Sequence, residues 1–205
     1  EVCLDDLTPL QKQLAGSLFG LKLDSIGFNF CVYTDLSLSM QGEAGKVYTL
    51  EVEADGQRIS ATTRIPVHVP LDELQFRAPP GEPNDTLAQL LCTVSDPAGE
   101  ANFYRYQVEF NNSGFISPLA SVSDDRLFDG ESAEFPLLKP EPRGTDNFNL
   151  DTFGLYRIGD TITVKWISLD EDHYNFWNTL EFSLANQGPF SSYTRVDTNV
   201  EGALG

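Results

Sequence analysis

The segment Tyr104–Phe110, with the sequence YRYQVEF, decides the fold class of this chain. Its apolar residues alternate with polar ones, which is the two-residue period of a strand with one buried face. The apolar set is Tyr104, Tyr106, Val108 and Phe110, and the polar set is Arg105, Gln107 and Glu109. We predict that every member of the apolar set is more buried than the polar residues between them.

A second strand pattern surrounds the dipeptide Asp55-Gly56. Val47–Ala54 precedes it and Arg58–Ile65 follows it, and this dipeptide supplies the positive φ angles of a tight hairpin turn. We therefore predict a β-hairpin over these two segments. Further strands are predicted at Phe28–Tyr33, Leu74–Phe76, Leu90–Val94 and Thr161–Ile167, with turns at Asp96–Gly99 and Ile158–Asp160.

One segment near the end of the chain has helical rather than strand periodicity. Ser168 and Glu171 have the spacing of a capping box, and Gly188-Pro189 supplies a stop signal. The sequence predicts a helix over Leu169–Ala185 that acts as a structural plug, closing an open end of a sheet or covering its edge. Its apolar stripe is Tyr174, Trp177, Leu180 and Leu184.

These elements together predict an all-β protein of two β-sandwich-like, immunoglobulin-like domains with one short helix. Prolines crowd the stretch from Pro66 to Pro83, so we place the domain boundary near Pro66 to Pro70. The predicted domains are an N-terminal β domain over residues 1–68 and a C-terminal β-sandwich with the helix over residues 69–205. The irregular stretch Pro140–Phe153 is predicted to be a surface loop.

The charge of the chain limits its partners. Its 205 residues include 31 acidic and 13 basic side chains, which gives a formal net charge of -18. Such a surface repels the phosphate backbone and anionic lipid headgroups. Nucleic acid is therefore excluded as an expected partner, and membrane attachment is expected only through a lipid anchor before or at the start of the chain.

The three cysteines, Cys3, Cys31 and Cys92, allow at most one disulfide. Cys31 and Cys92 lie in apolar alternating segments, so we predict that both are small core residues. Cys3 lies where a lipid-modified cysteine would stand in a bacterial lipoprotein, although the small residues that precede such a cleavage site are absent.

No catalytic, cofactor-binding or metal-binding residue is predicted, and the ligand-binding residues are left unassigned. His68 and His173 lie in distant segments and belong to neither a zinc motif nor a nucleophile motif. A hydrolase would need a nucleophile and a base brought together from distant segments. We predict that His173 is a solvent-facing residue of the first helical turn and that His68 is a polar residue of the linker between the two domains.

An acidic cluster around Gly130 loosely resembles the oxygen-rich loops that bind calcium. Its members are Asp124, Asp125, Asp129 and Glu131, and their spacing does not match an EF-hand loop. We predict that the Asp124–Glu131 segment is an ordinary acidic turn of solvated carboxylates.

Five segments in order resemble the family called domain of unknown function 4249, whose members are outer-membrane lipoproteins of the Bacteroidota. The resemblance covers roughly Gly45 to Gly205. The segments are Tyr48–Leu74, Val94–Val108, Asp124–Ser132, Tyr156–Glu181 and Thr198–Gly205. The stretch Glu1–Phe28 does not match the opening strands of the family, so we expect the first domain to be incomplete.

The resemblance implies an extracytoplasmic lipoprotein, anchored at the outer membrane or cell surface. It further implies a non-enzymatic accessory or ligand- or partner-binding component of a TonB-dependent transport complex, with the receptor as protein partner. No functional residue carries over from the family. The alternative is a carbohydrate-binding β-sandwich module, which would use Trp166 and Trp177 as exposed stacking platforms. The solvent exposure of these two side chains separates the two hypotheses.

Overall fold

The computed structural model describes residues 2–13, 23, 27–29, 31–32, 41–54, 56–81, 85–111, 114–141, 149–186 and 192–202. The chain divides into two compact units, Glu1–Gly42 and Glu43–Gly205. The sequence placed the division later, at Pro66 to Pro70. The hairpin predicted for the first domain lies in the second unit because its second strand is hydrogen-bonded to segments near the C-terminus.

The first unit is built around a short pair of strands. Strand β1 (Val2–Cys3) pairs antiparallel with β2 (Cys31–Val32), and a disulfide joins Cys3 to Cys31. The prediction that Cys31 is a core residue is therefore wrong, because the strand register places it opposite Cys3. Of the predicted strand Phe28–Tyr33, β2 covers two residues, and positions 30 and 33 lie outside the described residues.

The predicted hairpin is confirmed in the second unit. Strands β3 (Val47–Ala54) and β4 (Gln57–Arg64) pair antiparallel along their whole length, with Ala54 opposite Gln57. Gly56 has a φ of 76°, which glycine adopts without the steric cost of a side chain. Asp55 lies outside the described residues.

Two further sheets form the sandwich-like body of the second unit. The first consists of β5 (Glu73–Arg77), β6 (Leu87–Ser95), β9 (Ser132–Pro136) and β10 (Tyr156–Arg157). The second consists of β7 (Phe103–Phe110), β8 (Val122–Asp124) and β11 (Ile162–Leu169). Strand β6 pairs with β5 on one side and with β9 and β10 on the other, and β7 lies between β8 and β11. The predicted strands of this region are confirmed.

The core consists of side chains that alternate along the central strands. Its buried members are Leu90, Cys92, Tyr106, Val108, Leu137 and Tyr156, and Ile162, Val164 and Trp166 pack against them. Tyr104, Tyr106 and Val108 are buried as predicted, and so is the free thiol of Cys92. Arg105 contradicts the predicted alternation, because it is only 9% exposed while Phe110, at the strand end, is half-buried.

The C-terminal helix (Glu171–Ala185) begins three residues after the predicted cap. Asp170 is the N-cap, and its side chain accepts a hydrogen bond from the backbone N–H of His173. The prediction of a Ser168 cap is wrong because Ser168 still belongs to β11. The helix ends at Ala185, and the predicted stop at residues 188–189 lies outside the described residues.

The helix covers the face of the second sheet that points away from the sandwich core. The ring of Tyr174 stacks on Phe103 with centroids 4.9 Å apart, while Glu181 is the buried residue of the helix. Leu184 is exposed, so only part of the predicted apolar stripe faces the sheet. This covering explains why Arg105 is buried. The second unit is thus a mostly β, sandwich-like fold with one helix near the C-terminus.

Candidate functional site

A groove of about 660 Å³ lies at one end of the sandwich. Three segments line it: the linker 66–70 after the hairpin, the turn 97–102 between β6 and β7, and the residues Leu169–Glu171 where β11 passes into the C-terminal helix. All three belong to the second unit. We call this feature the end groove.

The linker wall of the end groove is fixed by the core. The indole Nε1 of Trp166 donates to the carbonyl of Val69 at 3.0 Å, and the Val69 N–H donates to Ser168 Oγ at 3.2 Å. Trp166 itself stacks on the buried ring of Tyr104. The neighbouring side chains of Val67 and His68 remain exposed at the rim of the groove.

The turn wall of the end groove is fixed by three carboxylates. Asp129 Oδ1 accepts from the Gly99 N–H at 2.8 Å, and Asp125 Oδ2 accepts from the Asn102 N–H at 2.6 Å. Asp96 accepts from the hydroxyl of Tyr104, and burial together with this carboxylate raises the pKa of that hydroxyl. We call Asp96, Asp125 and Asp129 the acidic triad, and their hydrogen bonds set the shape of the turn.

The acidic triad differs from the cluster predicted around Gly130. One oxygen from each of its members lies within 4.8 Å of the others, and carboxylate oxygens are ligands that calcium prefers. Asp124 points elsewhere, because Arg126 and Tyr174 donate to it. The hydrogen bond from Arg126 is the main reason that the pKa of Asp124 is lowered.

Asp96 is the member that sequence reasoning missed. It belongs to the Asp96–Gly99 turn, which is separated by about thirty positions from the other two residues along the chain. From the sequence alone, the aspartate of that turn is expected to be a local turn former. The pairing of β6 with β9 and of β7 with β8 brings the two turns together.

The floor of the end groove is the start of the C-terminal helix. Besides the His173 N–H, the Asp170 carboxylate accepts from the Arg64 N–H at 2.9 Å and from Thr63 Oγ1 at 2.8 Å. Burial alone would raise the pKa of Asp170, but these donors outweigh it and the pKa is lowered. One carboxylate therefore caps the helix and ties the hairpin to it.

The two histidines belong to separate hydrogen-bonded pairs. His68 Nδ1 lies 3.4 Å from Ser168 Oγ, and His173 Nδ1 lies 2.6 Å from Asp170 Oδ1. Ser168 Oγ already accepts from the Val69 N–H, and within the described ranges no carboxylate is bonded to His68. The described groups around the end groove thus lack the third, orienting member of a serine-histidine relay.

Trp177 takes part in a buried polar network beneath the C-terminal helix. The Arg105 guanidinium lies 3.5 Å from the centre of its ring, and Arg105 Nε donates to Ser121 Oγ at 3.0 Å. Glu181 accepts from the Ser121 N–H at 2.7 Å and lies 3.9 Å from the guanidinium. Burial lowers the pKa of Arg105, and the charge of Glu181 opposes that effect. Trp177 is therefore a packing residue.

None of the helices in the described residues is long and apolar enough to cross a membrane.

Comparison with known proteins identifies one family. No match was found among curated proteins or among solved structures. The profile of one family, described as Domain of unknown function (DUF4249), matches residues 18–205. This match spans most of the chain, and the chain belongs to that family.

Proposed function

We propose that this protein is a non-enzymatic, extracytoplasmic accessory protein that binds a partner or ligand in its end groove. The receptor of an outer-membrane, TonB-dependent transport complex is the proposed partner, and the family resemblance motivates that choice. The observation that carries the proposal is the end groove itself. Three segments that are distant in the sequence build it, and each is held by hydrogen bonds: the linker to Trp166, the turn to Asp125, and Asp170 to the hairpin.

The composition of the end groove suits recognition. Its volume is within the range of about 300 to 1,000 Å³ that is typical of ligand sites. Val67, Phe103 and Leu169 supply apolar walls, while Arg64 and Glu171 supply charges of opposite sign at the rim. An extended segment of a partner protein, or a ligand with both apolar and charged groups, fits this pattern.

The disulfide between Cys3 and Cys31 supports an extracytoplasmic location, because disulfides persist in oxidising compartments. A cysteine in a disulfide has no thiol with which to form a lipid thioether. The lipid anchor that we propose is therefore attached at a position other than Cys3.

The second candidate function is a carbohydrate-binding module. Trp166 and Trp177 motivated it, and both indoles are half-buried in packing contacts. Tyr193 is an exposed aromatic ring that could stack on a sugar. The half-buried state of both tryptophans favours partner binding in the end groove over stacking on a tryptophan platform.

Co-purification from native outer membranes tests the proposal. The wild-type chain is expected to retain a TonB-dependent receptor, and Val67→Glu is expected to lose it because Val67 is an exposed apolar residue of the groove wall. Leu127→Glu is the matched control, since Leu127 is also exposed but does not line the groove. Retention by both variants, or loss by both, would contradict a groove site. Binding of a glycan array by a wild-type chain that retains no receptor would favour the alternative.

A further inference from the structure

Strand β5 forms an open edge of the first sheet. Among the strands that the structure describes, β5 pairs with β6 and with no other strand. All five of its residues are exposed. Alternate backbone N–H and C=O groups of an edge strand point away from the sheet, where they can pair with a further strand.

The apolar residues of β5 lie at the open side of the core. Leu74 is opposite Cys92 and Phe76 is opposite Leu90, so both share the face that points into the sandwich. They nevertheless remain 46% and 49% exposed. A strand added to this edge would cover both of them.

The sequence of β5 is self-complementary about its central residue. It reads Glu73, Leu74, Gln75, Phe76 and Arg77. A second copy placed antiparallel around Gln75 would set Glu73 opposite the partner copy's arginine and Leu74 opposite its phenylalanine. Cross-strand pairs of opposite charge and of apolar side chains stabilise a sheet. A two-fold axis through Gln75 makes every such pair occur twice.

We propose that β5 is the contact between two copies of this chain, which join edge to edge in one continuous sheet. Each copy carries a net charge of -18, so a contact without local charge pairing would be repelled. The Glu73 and Arg77 pair supplies that local complement. Arg77 also donates to Glu134 at 2.6 and 2.7 Å and, through Nε, to Gln75 at 2.9 Å, so one N–H on each terminal nitrogen remains for a second carboxylate.

The size of the contact sets its strength. Five residues on each side bury much less than the roughly 1,200 to 2,000 Å² of a stable interface. The dimer is therefore weak and depends on concentration. Lipid anchoring of the chain at a surface, which rests on the proposed function, would raise its local concentration, but the contact itself does not depend on that function.

Sedimentation velocity of the purified chain tests this proposal, from about 10 μM to about 1 mM in about 150 mM salt. The average mass of the wild type is expected to rise toward twice the monomer value. Glu73→Arg alone and Arg77→Glu alone are each expected to weaken association by roughly tenfold, because each sets like charges opposite one another. The double exchange Glu73→Arg with Arg77→Glu is expected to restore it.

Two further variants separate β5 from general surface effects. Phe76→Lys is expected to abolish dimerisation, while Leu50→Lys on the hairpin, where Leu50 is 65% exposed, is expected to leave it unchanged. Circular dichroism of each variant checks that it is folded. A wild type that stays monomeric over the whole range would overturn the proposal. So would a folded double exchange that stays monomeric, or equal loss of association in Leu50→Lys.

Discussion

Replacement of Glu181 by alanine tests the buried polar network most directly. The Glu181 side chain is 7% exposed and that of Arg105 is 10% exposed, so neither charge is well solvated. In Glu181→Ala the guanidinium loses its carboxylate, and the Ser121 N–H and hydroxyl lose their acceptor. Removal of one partner from a buried ion pair costs about 3 to 5 kcal/mol.

The structure places the expected loss near the lower end of that range. Arg105 would keep its hydrogen bond to Ser117 at 3.0 Å and its contact with the Trp177 ring. We therefore expect the free energy of unfolding to fall by about 3 kcal/mol. For a chain of this length that corresponds to roughly 6 to 12 °C in melting temperature.

Urea and thermal unfolding, followed by circular dichroism, measure this loss. Glu181→Gln is the conservative control, because an amide oxygen can still accept from the Ser121 N–H, and we expect it to lose about 1 kcal/mol. The double variant of Glu181 and Arg105, both replaced by alanine, should be less destabilised than the sum of its single variants. A loss below about 1 kcal/mol in Glu181→Ala, or strict additivity in the cycle, would refute the reasoning.

Four other predictions concern Trp177, the Asp170 cap, Cys92 and the acidic triad. Trp177→Ala is expected to lower the free energy of unfolding by roughly 3 to 5 kcal/mol in urea melts, and an unchanged melt would contradict its packing role. Asp170→Ala is expected to lower the free energy of unfolding by about 2 kcal/mol in the same melts, because Asp170 caps the helix and also accepts from Arg64 and Thr63. Ser168→Ala is expected to lower it by about 1 kcal/mol, because Ser168 is not the cap and accepts from the Val69 N–H. Because the pKa of Asp170 is lowered in the folded state, its contribution to stability is present at neutral pH and is lost as the pH falls through the folded-state pKa. In Asp170→Asn the free energy of unfolding should therefore decrease less steeply as the pH is lowered. Burial raises the pKa of Cys92 to about 12, so maleimide is expected to label no cysteine in the folded chain, one after denaturation and three after denaturation with reduction. Calcium is expected to leave the melting temperature unchanged, because backbone N–H groups already donate to carboxylates of the acidic triad. A rise of several degrees that a chelator reverses, and that Asp125→Asn removes, would show a calcium site.

The end groove could be predicted only in part. Its linker coincides with the proline-rich stretch beginning at Pro66, which the sequence predicted as a domain boundary, and the predicted turn at Asp96–Gly99 is present. That these two segments meet the start of the C-terminal helix was not predictable, because the meeting depends on which strands become neighbours. The hydrogen bond between Trp166 and Val69 joins residues 97 positions apart.

The local elements of this protein are predictable from short stretches of its sequence. The alternation in Tyr104–Phe110 and the hairpin around Gly56 arise from side-chain size and backbone freedom over a few residues, so they are legible without long-range information. Contacts between distant side chains depend instead on the tertiary fold. It joined Cys31 to Cys3, buried Arg105 beneath the C-terminal helix, and brought Asp96 to Asp125, because such contacts depend on strand order and register rather than on neighbouring residues.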